Sequence, residues 1–422
     1  MSTFISTLQT SFTPLRIRNF RIYLGGQAVS LIGTWLQSTA QAWVVWELSK
    51  SPAALGTVSM LGTIPILFLS TWAGGWADRV DRRKLLIGTQ VAAMILAFIL
   101  AILTGTKLVQ LWHVYVLSLL LGIVTAIDMP TQQAFLGDLS GIGEVRKAVN
   151  LNAMILQVSR MLGPAMAGLV VGVLGASTAF WLNGISFIAV IASLVAVKTA
   201  VGKAKQHQQN STVGDAVRFI ADQPRIQDLI IFVMLVTFFG LSILNIFPAV
   251  ADKVLHGDAT TLGWLMAASG AGALVGTVLV VPYAQSLKRT GVVVGITTLW
   301  IGAWYVLFSL TAWLPFALIC IFFSSLGAPV VITMALGLMQ VLAPAHMRAR
   351  LVSLLITVTF GMQPIASLLV GYSAEHLGTS VAIQLNGILL MIGAAAMLAF
   401  RSQLRQWRLN LGPVDTPAVE AL

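Results

Sequence analysis

Residues 53–84 read AALGTVSMLGTIPILFLSTWAGGWADRVDRRK. The stretch 53–76 carries no charge, whereas 78–84 carry six charged side chains. About 20 apolar residues in a helix cross roughly 30 Å of hydrocarbon, so this stretch predicts one membrane span ending in a basic loop. The pattern repeats along the chain. Apolar runs fall at 20–47, 53–76, 85–104, 112–136, 148–172 and 176–197, and again at 226–250, 261–284, 291–311, 314–342, 350–372 and 379–400. No run shows the alternation of a barrel strand. Helices therefore have to satisfy the backbone within the lipid. The expected fold is an all-α polytopic membrane protein of twelve transmembrane helices.

The composition agrees. Of the 422 residues 57% are hydrophobic and only 9% are charged, against about 25% charged in a soluble domain. Such a chain is neither an ordinary soluble enzyme nor disordered. The net charge of +11 resides in short loops, with no basic patch interleaved with aromatics, so a nucleic-acid partner is not expected. Of the 25 Lys and Arg, 21 fall before the first run or after even-numbered runs. Lys50, Lys107 and Lys253 lie on the other side, and Arg160 lies inside a run. Positive-inside asymmetry then predicts a multi-pass protein of the cell (inner) membrane with both termini cytoplasmic. Residues 1–19 are polar and the run after them is too long for an h-region, so no cleavable signal peptide is expected. The single cysteine, Cys320, excludes an intrachain disulfide.

Two halves resemble each other in order. Leu55-Gly56 matches Leu262-Gly263, Gly122 matches Gly327, Pro164 matches Pro364, and Leu182-Asn183-Gly184 matches Leu385-Asn386-Gly387. Parallel repeats of this kind place a substrate site between the halves near the membrane midplane. The organisation predicted is a six-helix bundle over 1–197, a cytoplasmic linker over 198–225, a second six-helix bundle over 226–400 and a cytoplasmic tail over 401–422. Residues 213–224 have the composition of a short amphipathic surface helix.

The loop after the second run reads Gly74-Gly75-Trp76-Ala77-Asp78-Arg79-Val80-Asp81-Arg82-Arg83-Lys84. It resembles the loop signature of the major facilitator superfamily, G-x-L-A-D-R-x-G-R-R, at Gly74, Ala77, Asp78, Arg79, Arg82 and Arg83. Trp76 replaces the usual Leu, and Asp81 replaces the second Gly. The resemblance implies two pseudo-symmetric bundles and a cytoplasmic latch built on Asp78. The fifth run carries Arg160-Met161-Leu162-Gly163-Pro164-Ala165-Met166-Ala167-Gly168. This is similar to the antiporter motif of the superfamily, which ends G-P-x-x-G-G, but Ala167 stands where the first of the two final glycines is expected. Gly163, Pro164 and Gly168 imply a bent helix with close packing. Together with Ile127-Asp128-Met129-Pro130, the segment resembles the exporter branch that includes the enterobactin exporter and drug-efflux proteins. That resemblance implies outward transport of a siderophore or amphipathic drug-like molecule, energised by proton antiport.

Gln27, Ser30, Thr34, Gln37 and Gln41 step by three and four along the first run, so they form one polar stripe on a helix. Such a stripe faces a wet cavity or partner helices. Asn245, in the repeat mate of that run, is a further cavity candidate. Asp128 and Arg160 are the two charges placed deep in hydrocarbon, roughly 14 and 20 Å from the loop between them at 1.5 Å per residue. A structural salt bridge, an anion-attracting Arg160 and a proton-accepting Asp128 are all compatible with that placement. There is no phosphate-binding G-x-x-x-x-G-K-[ST] and no hydrolase or metalloprotease motif. No cofactor, metal or catalytic residue is expected. The reading is a secondary transporter, a monomer in the lipid bilayer, that takes a small-molecule substrate with protons as coupling ion. The rivals are an importer of a small organic anion anchored at Arg160, and a lipid translocator or non-transporting receptor.

Overall fold

The computed structural model describes residues 13–77, 80–140, 144–197, 218–287, 289–344 and 348–401. A short 3-10 turn over Thr13–Arg16 leads into α1, Arg18–Ser49. The first half continues with α2 Pro52–Ala77, α3 Arg82–Gly105, α4 Leu111–Ser140, α5 Val145–Leu174 and α6 Ala176–Ala196. The second half comprises α7 Pro224–Val254 and α8 Ala259–Ser286, α9 Thr290–Ser309, α10 in two pieces (Leu314–Ser325 and Gly327–Leu342), α11 Arg348–Leu377 and α12 Thr379–Phe400. Ten of the described helices are long and apolar enough to cross a membrane. The others, α1 and α11, are 32 and 30 residues long and pack among them. Among the described residues there is no strand.

Local chemistry sets the helix ends. Asp81, the residue that departs from the loop signature, N-caps α3 by accepting from the backbone N–H groups of Arg83 and Lys84. Asp258 does the same for α8 through Thr260 and Thr261. Each satisfies N–H groups that a helix start leaves open. The pseudo-symmetry shows in the turns. Lys50 (φ 49°) and His256 (φ 51°) take left-handed conformations at the α1–α2 and α7–α8 turns. Gly175 (φ 83°) and Gly378 (φ 93°) do so at α5–α6 and α11–α12, where only glycine adopts the conformation without strain.

Within the halves, α1 packs on α5 and α6, and α2 on α4; in the second half α9 packs on α12 and α8 on α10. The halves meet chiefly where α5 crosses α8 and α2 crosses α11. Both crossings are backbone-close. A side chain at Gly56 would run into the Ser367 carbonyl, and one at Gly168 or Gly263 would strike the other glycine. The repeat-matched Gly56 and Gly263 therefore do the same work in the two halves, in the manner of small-residue contacts in membranes. One large apolar cluster runs through both halves. A second, with Phe20, Tyr23 and Phe135, fills the first half near the start of α1. Large apolar side chains also cover the outside, including Val173, Ile185, Ile188, Leu279 and Leu369. Lipid is the solvent that such a surface requires.

Candidate functional site

A central cavity lies between the halves, in two lobes that meet at Leu244. The larger, of about 290 Å³, is walled by α5, α7, α8, α9 and α10, and Arg160, Gln157 and Tyr305 line it. The smaller, of about 260 Å³, is walled by α1, α2, α4, α7 and α8, with Gln41, Ser59, Ser118 and Asn245 among its polar groups. Small-molecule sites are typically concave, mostly apolar and dotted with a few polar groups, as here.

The α1 stripe divides between neighbours, because its five positions spread over an arc of the helix rather than a line. Gln41 faces the smaller lobe and donates to Ser118 Oγ at 2.8 Å. Gln37 turns to α6, where its Oε1 accepts from Asn183 Nδ2 at 2.7 Å. Gln27 and Ser30 are buried, and Gln27 Oε1 has no partner among the described residues. Thr34 is exposed and donates to the Ser30 carbonyl. Asn245 lines the smaller lobe and donates to Ser367 Oγ of α11 at 2.8 Å, and Ser59 of α2 joins the same hydroxyl at 3.1 Å.

Asp128 and Arg160 do not pair. Their depths are compatible but their faces are not. Asp128 turns into the first half, where one carboxylate oxygen accepts from Thr89 Oγ1 at 2.5 Å and Gln90 Nε2 at 3.0 Å, both on α3. Arg160 turns toward the second half and lines the larger lobe. Its guanidinium lies 5.6 Å from the Trp35 ring centroid. Such a cation–π contact contributes about 0.5–2 kcal/mol, whereas a central charge costs at least ~2.5 kcal/mol. The ring alone leaves the cation under-compensated. Gly163 sets this contact, since a side chain there would collide with Trp35 Cβ and the Ile32 carbonyl. Pro164 lies within α5, which is helical on both sides of it.

Of the loop signature, Gly74 lies in the last turn of α2, and Asp78 and Arg79 lie outside the described residues, as does most of the expected linker. Arg82 Nη1 donates to both carboxylate oxygens of Asp138 of α4, at 3.0 and 2.9 Å. Arg83 donates to the Leu194 carbonyl at 2.6 Å and to that of Val195, so it closes the C-terminal end of α6. A cation at that end also meets the negative pole of the helix.

Some residues outside the main site candidates of the sequence reading are prominent. At the face carrying the α1–α2 turn, Asp252 of α7 accepts from Trp46 Nε1 at 2.7 Å and pairs with Lys50 at 2.8 Å. Glu375 of α11 accepts from Ser51 Oγ at 2.6 Å and from the Ala53 N–H at 3.1 Å. Thr260 of α8 reaches the Gly168 carbonyl of α5 at 3.4 Å. All of these join the two halves. Tyr305 is the other omission. Helix α7 is not regular: it passes through a π turn at Val236–Gly240 and a 3-10 segment at Leu241–Ile246 where it borders the cavity. Tyr305 donates to the Gly240 carbonyl at 3.0 Å and so satisfies a group released by the irregular turn. No sequence signal marked it beyond its being a tyrosine in an apolar run.

Two pseudo-symmetric helical bundles around a cavity lined from both halves are the architecture of a secondary transporter. The chain belongs to the major facilitator superfamily: the family described as transmembrane secretion effector matches residues 9–420. It is 26% identical to a staphyloferrin A transporter of Staphylococcus aureus over 65% of this chain and 68% of that one. It is 24% identical to the multidrug efflux pump Tap of Mycolicibacterium fortuitum, over 90% and 95% of the two chains. Its fold resembles that of a bacterial homologue of the human lysosomal transporter Spinster in an inward-facing, occupied conformation. That likeness has a TM-score of 0.75 at 14% identity and covers 95% of this chain and 100% of the other.

Proposed function

We propose that the protein exports a small amphipathic molecule, siderophore-like or drug-like, across the cell inner membrane by alternating access, in exchange for protons. The observation that carries this reading is the central cavity with walls from both halves. The described ties at the α1–α2 face support an arrangement closed toward the outside, with both termini on the cytoplasmic side. The similarity to a siderophore transporter and a drug-efflux pump supports export and the amphipathic substrate class. Each half, 1–197 and 226–400, moves as a unit, with 198–225 as linker and 401–422 as tail, and one chain suffices for transport.

Asp128 is the proposed proton-accepting group. It is a membrane-depth carboxylate held on one oxygen by Thr89 and Gln90, with no cation paired to it among the described residues. Intramembrane carboxylates of this kind mark proton relays. Gln41, Asn245 and Arg160 contribute to substrate contact, and Gly74, Asp78, Arg79, Arg82 and Arg83 to the cytoplasmic latch. The test is flux of a fluorescent drug in inside-out vesicles under an imposed pH gradient. Accumulation that collapses with the gradient, and is lost in Asp128→Asn, is expected. Gradient-independent flux, or uphill flux that survives Asp128→Asn, refutes the coupling.

A further inference from the structure

We propose that Arg160 is an anion-binding residue of the larger cavity lobe, so that the transported molecule presents a carboxylate or phosphate to it beside an apolar or aromatic body. This rests on the cavity being the substrate site and goes further by assigning the charge of the substrate.

Most other polar side chains of the lobe are already engaged, Thr333 being the exception. Gln157 donates to Thr277 Oγ1 at 3.2 Å, and Thr277 donates to the Ala273 carbonyl. Tyr305 donates to Gly240, Ser324 to the Ile321 carbonyl and Ser325 to Ser269. Arg160 is the charged side chain of this lining, and its donors have no acceptor among the described residues. A guanidinium has five N–H donors and no acceptor capacity, and it stays charged. Its described contact is a ring face, which satisfies charge but no hydrogen bond.

The remaining wall is apolar, with Leu156, Val236, Leu241, Leu244, Ile301 and Ile332. A carboxylate or phosphate on the substrate would supply the missing acceptors in the planar, two-pronged geometry that a guanidinium prefers. Among the described residues no carboxylate lines the lobe to compete for the position. Asp128 is turned to α3, and Glu375 and Asp252 are held at the α1–α2 face by Ser51 and Lys50. Trp35, packed against Gly163, lies beside the guanidinium from the first half. Tyr305 adds an aromatic edge from the second half.

The test compares matched acids with their uncharged counterparts on the full chain in lipid nanodiscs: 2-naphthoate with 2-naphthamide, and 1-naphthyl phosphate with 1-naphthol. Binding is read by tryptophan fluorescence and by the shift in melting temperature. An acid should bind about tenfold or more tighter than its partner, a margin of roughly 1.4 kcal/mol. The two acids distinguish a carboxylate site from a phosphate site. Arg160→Gln should erase the preference, and Arg160→Lys should keep part of it without the two-pronged geometry. Because Arg160 has no acceptor to lose among the described residues, the ligand-free Arg160→Gln protein should melt at or above the wild-type temperature. A marked fall would reveal a structural partner and overturn the proposal. So would equal binding of acid and neutral partner, a preference that survives Arg160→Gln, or wild-type protein that binds neither acid. Acid binding without outward flux would instead count against export alone. Flux of neutral or cationic compounds without acid preference would count against this inference alone.

Discussion

Asp128 and Arg160 show how far one charge can be read from its neighbours in sequence. Depth follows from counting residues to the nearest loop, and both charges lie where a helix crosses hydrocarbon. Direction does not follow, because a 100° step per residue decides which neighbour each side chain meets. The structure sends Asp128 to Thr89 and Gln90, and Arg160 to Trp35 and the cavity. Two substitutions separate the residue roles. Asn183→Leu removes the donor to Gln37 Oε1 and leaves that oxygen buried beside α6. Intramembrane hydrogen bonds average about 0.6 kcal/mol in double-mutant cycles and reach about 1.7. The expected cost is therefore about 1 kcal/mol, read as a modest fall in melting temperature with transport retained. Thr89→Val should leave folding intact and lower the pH at which transport is half-maximal or raise it, but not leave it fixed. An unchanged pH profile would separate Thr89 from the coupling carboxylate.

At the scale of the helix, the caps and crossings carry the argument. Asp81 replaces a glycine of the family signature, and the structure gives the reason it is acceptable: its carboxylate caps α3. Asp81→Ala should cost about 0.5–2 kcal/mol, the usual range for a lost N-cap, measurable as a lower melting temperature. The α2–α11 and α5–α8 crossings depend on glycine at Gly56 and Gly263. Gly56→Val and Gly263→Val should each push the halves apart at the α1–α2 face. The readout is greater labelling of a cysteine introduced at Ser51. Helix α7 marks the limit of pattern reading. Its apolar run predicts a span, and it is a span, but the π and 3-10 turns facing the cavity leave no trace in hydropathy.

At the scale of the molecule, a small set of polar ties joins the halves at one face. Lys50 and Asp252 make an exposed pair, worth at most about 1 kcal/mol. The carboxylate of Glu375 is stronger in kind, because it accepts from both a hydroxyl and a backbone N–H at the start of α2. Glu375→Gln together with Asp252→Asn should shift the population toward the form open at that face. Accessibility of a reporter cysteine at Ser38, in the smaller lobe, would measure the shift from each side of the membrane. An unchanged ratio would show that the glycine crossings alone hold the face closed.

The sequence by itself determined the solvent, the span pattern, the repeat and the family. Hydropathy, charge asymmetry, glycine positions and the loop signature are local or periodic quantities, and each is set by the bilayer or by backbone geometry along one helix. It also placed Gln41, Asn245 and Arg160 among the candidates that line the cavity. Tertiary structure decided the partners. It split the α1 stripe between Asn183 and Ser118, separated Asp128 from Arg160, and brought Tyr305, Asp252 and Glu375 into the picture. Partner choice depends on the rotation of each helix about its axis and on contacts between residues up to 324 positions apart. Packing of the two halves against each other fixes both.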